Sequence, residues 1–247
     1  MFRNLFFAAL VAALCAGLVA STIQHFRVTP LILHAESFEG EGGHSHGEEA
    51  TPAEHTHAPG TPAHDHGADE WAPQDGLERT LYTVLANLLA AAGFALVIGA
   101  VGLLANIPIT TGNALLWSLA GFASFTLAPA FGLPPELPGM PAAGLGARQL
   151  WWVATALATG AACLLLAKTR AGWAIAVALA LVLAPHIVGA PAAPEEPSAV
   201  PAHLATAFAA ATIGSSAVFW LVLGVVFGLV NDRLARREAS HPIGAPA

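Results

Sequence analysis

The sequence predicts an all-α integral membrane protein of about six transmembrane helices, with a His-rich, disordered external loop between the first and the second. Three observations carry this. Of the 247 residues, 55% are hydrophobic and 10% charged, against about 25% charged in an ordinary soluble domain; mean hydropathy is +0.63. Between Thr80 and Pro135 there is no Asp, Glu, Lys or Arg, a run too long for one bilayer crossing of ~20 residues and long enough for two. Near the N-terminus, His44-Ser45-His46, His55-Thr56-His57 and His64-Asp65-His66 stand in a tract of Glu, Asp, Pro and Gly.

Apolar runs of spanning length, about 17 to 25 residues, fall at Leu5–Ile23, Leu81–Ala105, Ala114–Phe131, Leu150–Ala167, Gly172–Gly189 and Leu204–Val230. The breaks between the last five are turn-forming or charged: Asn106–Asn113, Gly132–Gly139, Lys168–Arg170 and the Pro-rich Ala190–Pro197. The chain then divides into a first transmembrane helix (1–23), an external His- and acid-rich metal-binding loop (24–79), a five-helix membrane bundle (80–230) and a basic cytoplasmic tail (231–247). Arg3 before an apolar run also fits a signal peptide. The run to Ile23 exceeds a typical h-region and Leu14 before Cys15 spoils a lipoprotein site, so a retained span is expected; cleavage would leave five. Gly40–Gly76 has no aliphatic core residue beyond Ala and should be disordered without metal. The flanks Gln24–Glu39 and Trp71–Leu77 carry Phe26, Leu31, Ile32, Leu33, Phe38 and Trp71 and are expected along the membrane interface. Small residues recur every fourth position at Ala13, Gly17 and Ser21, at Ala120, Ser124 and Ala128, and at Gly224 and Gly228, which permits close helix approach in lipid. No internal repeat beyond the His-x-His pairs is evident.

Lys and Arg near span ends favour the cytoplasmic side. With the N-terminus inside, Arg3, Lys168, Arg170, Arg233, Arg236 and Arg237 are cytoplasmic and only Arg27, Arg79 and Arg148 external. All acidic residues except Asp232 and Glu238 are then external, which concentrates the net charge of −7 on that face. This gives a multi-pass inner-membrane protein in contact with lipid, both termini cytoplasmic.

In an extended strand residues i and i+2 project from one side, so each His-x-His pair chelates without needing a fold. Neutral imidazole suits Zn, Cu, Fe, Ni and, by extension, Co, and the nearby carboxylates add oxygen donors and negative potential. His44, His46, His55, His57, His64 and His66 are therefore the candidate metal ligands. Polar groups that could line an ion pathway are His25, His34, Glu36 and Glu39 beyond the first span, Glu136, and His186 behind Pro185. Within the spans stand Asn87, Thr155, Thr159, Thr212, Ser215 and Ser216, of which the Ser and Thr are expected to bond their own helix carbonyls. Cys15 and Cys163 fall inside spans and read as packing residues. Lys168 is the only lysine and follows no Gly-x-x-x-x-Gly-Lys; there is no His-Glu-x-x-His, Gly-x-Ser-x-Gly, dinucleotide fingerprint or Cys-x-x-Cys. Nothing supports an enzyme, and a tail with three Arg and no interleaved aromatics argues against nucleic acid.

The segments Met1–Leu5 and Ala16–Ala20, then Gln24, Thr29-Pro-Leu-Ile-Leu-His-Ala-Glu36 and Glu39 before a His-rich insertion, resemble the CbtA family of cobalt transporter proteins. So do Phe125–Gly139, Arg148-Gln-Leu-Trp-Trp152 and Ala184–Pro191. The resemblance covers nearly the whole chain except the His loop. It implies about five spans, cobalt as substrate for cobalamin synthesis, and a partner in the form of a small one-span His-rich B subunit. The loop would capture the ion outside and the bundle conduct it. Imidazole and carboxylate donors alone do not select cobalt, since such sites bind Ni and Cu more tightly. Nickel or zinc transport, efflux, and a metal sensor or assembly protein that moves no ion stay open, as does a homo-oligomer.

Overall fold

The computed structural model describes residues 2–41, 73–74 and 76–240, and everything there is helix or connection. The elements are α1 (Phe2–Ile23), the π-helical segment π1 (Gln24–Val28), α2 (Thr29–Glu41), α3 (Leu77–Leu104), α4 (Ala114–Phe122), the segment π2 (Ala123–Leu127), α5 (Ala128–Ala130), α6 (Leu145–Lys168), α7 (Gly172–Val188) and α8 (Ala202–Ser240). Four helices are long and apolar enough to cross a membrane: Arg3–Phe38, Leu77–Leu104, Leu145–Lys168 and Ala202–Ser240. The other two apolar helices, Ala114–Ala130 and Gly172–Val188, are shorter. All six apolar runs are thus helical, two of them at the lower limit of spanning length.

The first helix does not end at Ile23. Residues 24–41, expected in the external loop and along the interface, continue it through π1 into α2, a 36-residue stretch between Arg3 and Phe38 or ~54 Å of helix. His25, Arg27 and Pro30 lower the hydropathy there, but hydropathy reports burial in lipid, not helicity. Pro30 has no N–H and its ring crowds the carbonyl four residues back. Directly before it the ladder widens, and the Thr29 N–H bonds the carbonyl of Gln24, five residues back. Ala128, before Pro129, does the same to Ala123. The C-terminal helix likewise runs past the expected tail boundary to Ser240.

Helices pair antiparallel. α1 lies between α3 and α8 and α4 lies on α8, with Gly17 against Leu88, and Leu5 and Phe227 both against Gly99. Their shared core holds Ala8, Ala12, Ala16, Ala91, Ala95 and Phe227. Alanine and glycine stripes bring backbones close, since apolar burial gives helices no advantage over lipid. Gly224 and Gly228 take this furthest. A Cβ on Gly228 would stand 2.7 Å from the Thr110 carbonyl oxygen, and one on Gly224 would meet Ser118 Oγ. An aromatic cluster joins α3, π2, α6 and α8: Phe125 stacks on Trp220 (5.6 Å between centroids, 11°), Phe94 touches both, and Trp152 lies 6.0 Å from Phe125. α7 is peripheral, packed on α6 with Ile175, Leu179 and Leu183 exposed along one face.

The connections seal each end. Asn106, at φ 52°, ends α3 in the left-handed region that Asn tolerates, while Ile107 N–H reaches the Gly102 carbonyl (2.8 Å) and Asn106 N–H that of Leu103 (3.1 Å). At this end Asn231 donates to the Ile109 carbonyl (2.8 Å) and Asp232 accepts the Thr111 N–H (2.9 Å). At the opposite end Val28 and Ala35 of the first helix bury against Leu137, Val200, Leu204 and Phe208.

Candidate functional site

The second end carries two Glu–Arg ion pairs and the described histidines, because α2, the N-terminus of α3, the 132–144 connection, the N-terminus of α6 and the C-terminus of α7 all meet there. Two cavities open among them. The smaller, about 300 Å³, lies between π1 and α3, with Ser21, Gln24, His25, Arg79 and Thr83 on its walls. Asn87 Nδ2 ties these helices, donating to Gln24 Oε1 (2.8 Å) and Ser21 Oγ (3.1 Å). The larger, about 720 Å³, lies beside π2 and α6 and is walled by Phe125, Glu136, Arg148, Gln149, Trp152 and Ser216.

An ion pair stands at each cavity. Arg79 holds Glu36 through both terminal guanidinium nitrogens, the Nη1 bond being 3.2 Å, with each side chain about one-third exposed. Arg148 holds Glu136 at 2.7 Å. Glu36 and Glu136, which the sequence marks as ion-pathway residues, are thus engaged by arginines whose positions in the sequence show only external charge. His25 borders the smaller cavity, edge-on to Phe26. His34 is exposed on α2 beside Phe38. His186 sits against the rings of Trp151 (5.6 Å) and Phe131 (6.3 Å), where Trp151 Nε1 donates to the Pro185 carbonyl. Glu39 lies in α2. The six paired histidines, 44 to 66, lie outside the described residues. Among the described residues no three His, Cys, Asp or Glu side chains gather.

Inside the bundle Thr155 bonds the carbonyl one turn back, as expected, and Ser21 and Ser118 do the same. Thr159, Thr212 and Ser215 depart from that: their buried hydroxyls have no partner among the described residues. Sequence reasoning passed over the two π segments and the arginine partners. The signals were there, in a Phe four residues before a Pro and in an Arg opening each of two apolar runs.

A bundle of apolar helices whose charges collect at its ends defines a multi-pass membrane protein. The chain belongs to the CbtA family: the family model described as "Probable cobalt transporter subunit (CbtA)" matches residues 2–232. That description names cobalt, without extending to nickel or zinc, and makes the chain one component of a transporter. No curated protein and no solved structure matches the chain.

Proposed function

We propose that this chain is the membrane subunit of a cobalt uptake transporter, in which the His-rich loop captures the ion outside and the bundle conducts it. The family match over residues 2–232 carries the reading, and a subunit by description implies a partner; a small one-span protein with a His-rich end would fill that role. Two observations support the direction. Six of eleven histidines stand in His-x-His pairs, a composition suited to holding a divalent ion. The residues assigned outside by charge, Glu36, Arg79, Glu136 and Arg148, meet at one end, while Asn231 and Asp232 bond the opposite connection. The family and the helices fit an inner-membrane protein with both termini in the cytoplasm.

Cobalt accumulation in cells lacking their own uptake route tests the function. Cells making the chain with its partner should accumulate cobalt, and accumulation no faster than in cells carrying neither rejects the reading. Orientation has its own check. A reporter active only outside the inner membrane should work at Gly60, Gly139 or Pro194, and one active only in the cytoplasm at Thr169 or after Ala247. Cytoplasmic activity at Gly60 would reverse the loop and favour an exporter or an intracellular sensor.

A further inference from the structure

The sequence alone shows no internal repeat beyond the His-x-His pairs, but the two π segments occupy the same register in two stretches of it. Gln24–Val28 and Ala123–Leu127 each begin two residues before a Phe and end two residues before a Pro, in Phe26-Arg-Val-Thr-Pro30 and Phe125-Thr-Leu-Ala-Pro129. Each precedes a glutamate, Glu36 or Glu136, that an arginine of the next long helix holds, Arg79 or Arg148. Those arginines open a second shared pattern, Arg79-Thr-Leu-Tyr-Thr-Val84 and Arg148-Gln-Leu-Trp-Trp-Val153. Both cavities are walled by the same four positions of it: Arg79, Thr80, Thr83 and Val84 in one, Arg148, Gln149, Trp152 and Val153 in the other.

We propose that the chain is a tandem repeat of one helical hairpin, α1–α3 and α4–α6, and that its two Glu–Arg ion pairs are equivalent latches controlling access from the outer end to the two cavities. Parallel repeats with interrupted helices are a recurrent plan among membrane transporters, and π segments recur at functional positions in helices. Here each interruption lies beside a cavity in the ascending helix, and the latch fastens the segment beyond it to the descending helix. Releasing the carboxylate loosens the hold of the descending helix on that segment. This differs from a static brace, which would hold the fold without governing entry. The inference does not depend on which ion the protein carries.

The test uses the full-length protein in membranes with Cys15 and Cys163 replaced by Ala and one reporter thiol per cavity, Thr83→Cys or Ser216→Cys. Each is labelled with a membrane-impermeant thiol reagent applied to the outer face. Glu36→Gln should speed labelling at position 83 and leave position 216 unchanged; Glu136→Gln should do the reverse. A gain of about fivefold is expected, the factor that the ~1 kcal/mol of a part-exposed ion pair represents. The exchanged pair Glu136→Arg with Arg148→Glu should restore slow labelling at 216, which separates a latch from damage to the fold. Unchanged rates in the Gln variants overturn the latch. A response in one hairpin alone overturns the equivalence.

Discussion

Gly228→Val should abolish stable folding, and even Gly228→Ala should lower stability on the order of 3 kcal/mol, the upper end of ordinary overpacking costs. The reason is which atoms stand in the way. A flexible side chain can swing aside, but the nearest neighbours of a Cβ at position 228 are the Thr110 carbonyl oxygen, its carbon and the Thr111 nitrogen, all within 3.0 Å. That backbone is fixed by the Asn231 and Asp232 hydrogen bonds on either side of Thr110. Relief therefore requires α8 to withdraw from α4, which also lifts Gly224 off Ser118 and Trp220 off Gly121. Gly214, on the same helix, meets nothing within 4 Å. There Ala should be neutral or stabilising by about 0.5–1 kcal/mol, through the helix preference for Ala over Gly. Tryptophan fluorescence during unfolding in mild detergent compares the two, and equal midpoints for Gly214→Ala and Gly228→Ala would show that α8 does not need this close approach.

Replacing His44, His46, His55, His57, His64 and His66 together by Ser should cut cobalt uptake severalfold when the metal is scarce and leave it nearly intact when the metal is abundant. A capture site raises the local ion concentration without forming the route. Ligating imidazoles must be neutral, and free His titrates near pH ~6.5, so wild-type uptake at scarce metal should fall toward the six-Ser level as the medium drops below pH ~6. The variant should lack that acid-sensitive component. A synthetic peptide of Gly40–Gly76 isolates the chemistry. No heat of binding with Co, Ni or Zn at about pH 7.5, where free imidazole is mostly neutral, would end the capture role, whatever the bundle does.

The helices were legible because a membrane protein writes its core in uncharged residues. Every apolar run became a helix, and the Lys168–Arg170 and Asn106–Asn113 breaks fell where helices end. The extension through residues 24–41 was not legible from hydropathy, since Arg27 and Glu36 argue against a span while doing nothing to prevent a helix. What keeps that segment helical is tertiary, the burial of Val28 and Ala35 on Leu137 and Leu204, contacts made with residues far away in sequence. For the candidate site, the structure adds the partners of two of the residues named, Glu36 and Glu136. Glu36 and Glu136 stand out in the sequence as carboxylates near the outer face, but their partners lie on the next long helix, and periodicity within one helix carries no information about that pairing. The His-x-His tract lies outside the described residues, and its reading as a chelator rests on adjacent residues alone.

Glu36 and Arg79 stand just inside the two ends of the tract that carries the paired histidines, one five residues before the end of α2, the other three residues into α3 from Gly76. The bond between them, with Asn87 holding Gln24 and Ser21 from below, fixes where that tract leaves and rejoins the bundle, whatever lies between. Closing chain segments of different length differs by only about 0.6 kcal/mol per doubling. The intervening sequence is accordingly a free variable: it can grow, shrink or change its composition while the membrane-embedded part keeps its packing. The composition of the tract and the architecture of the bundle can then change independently of each other.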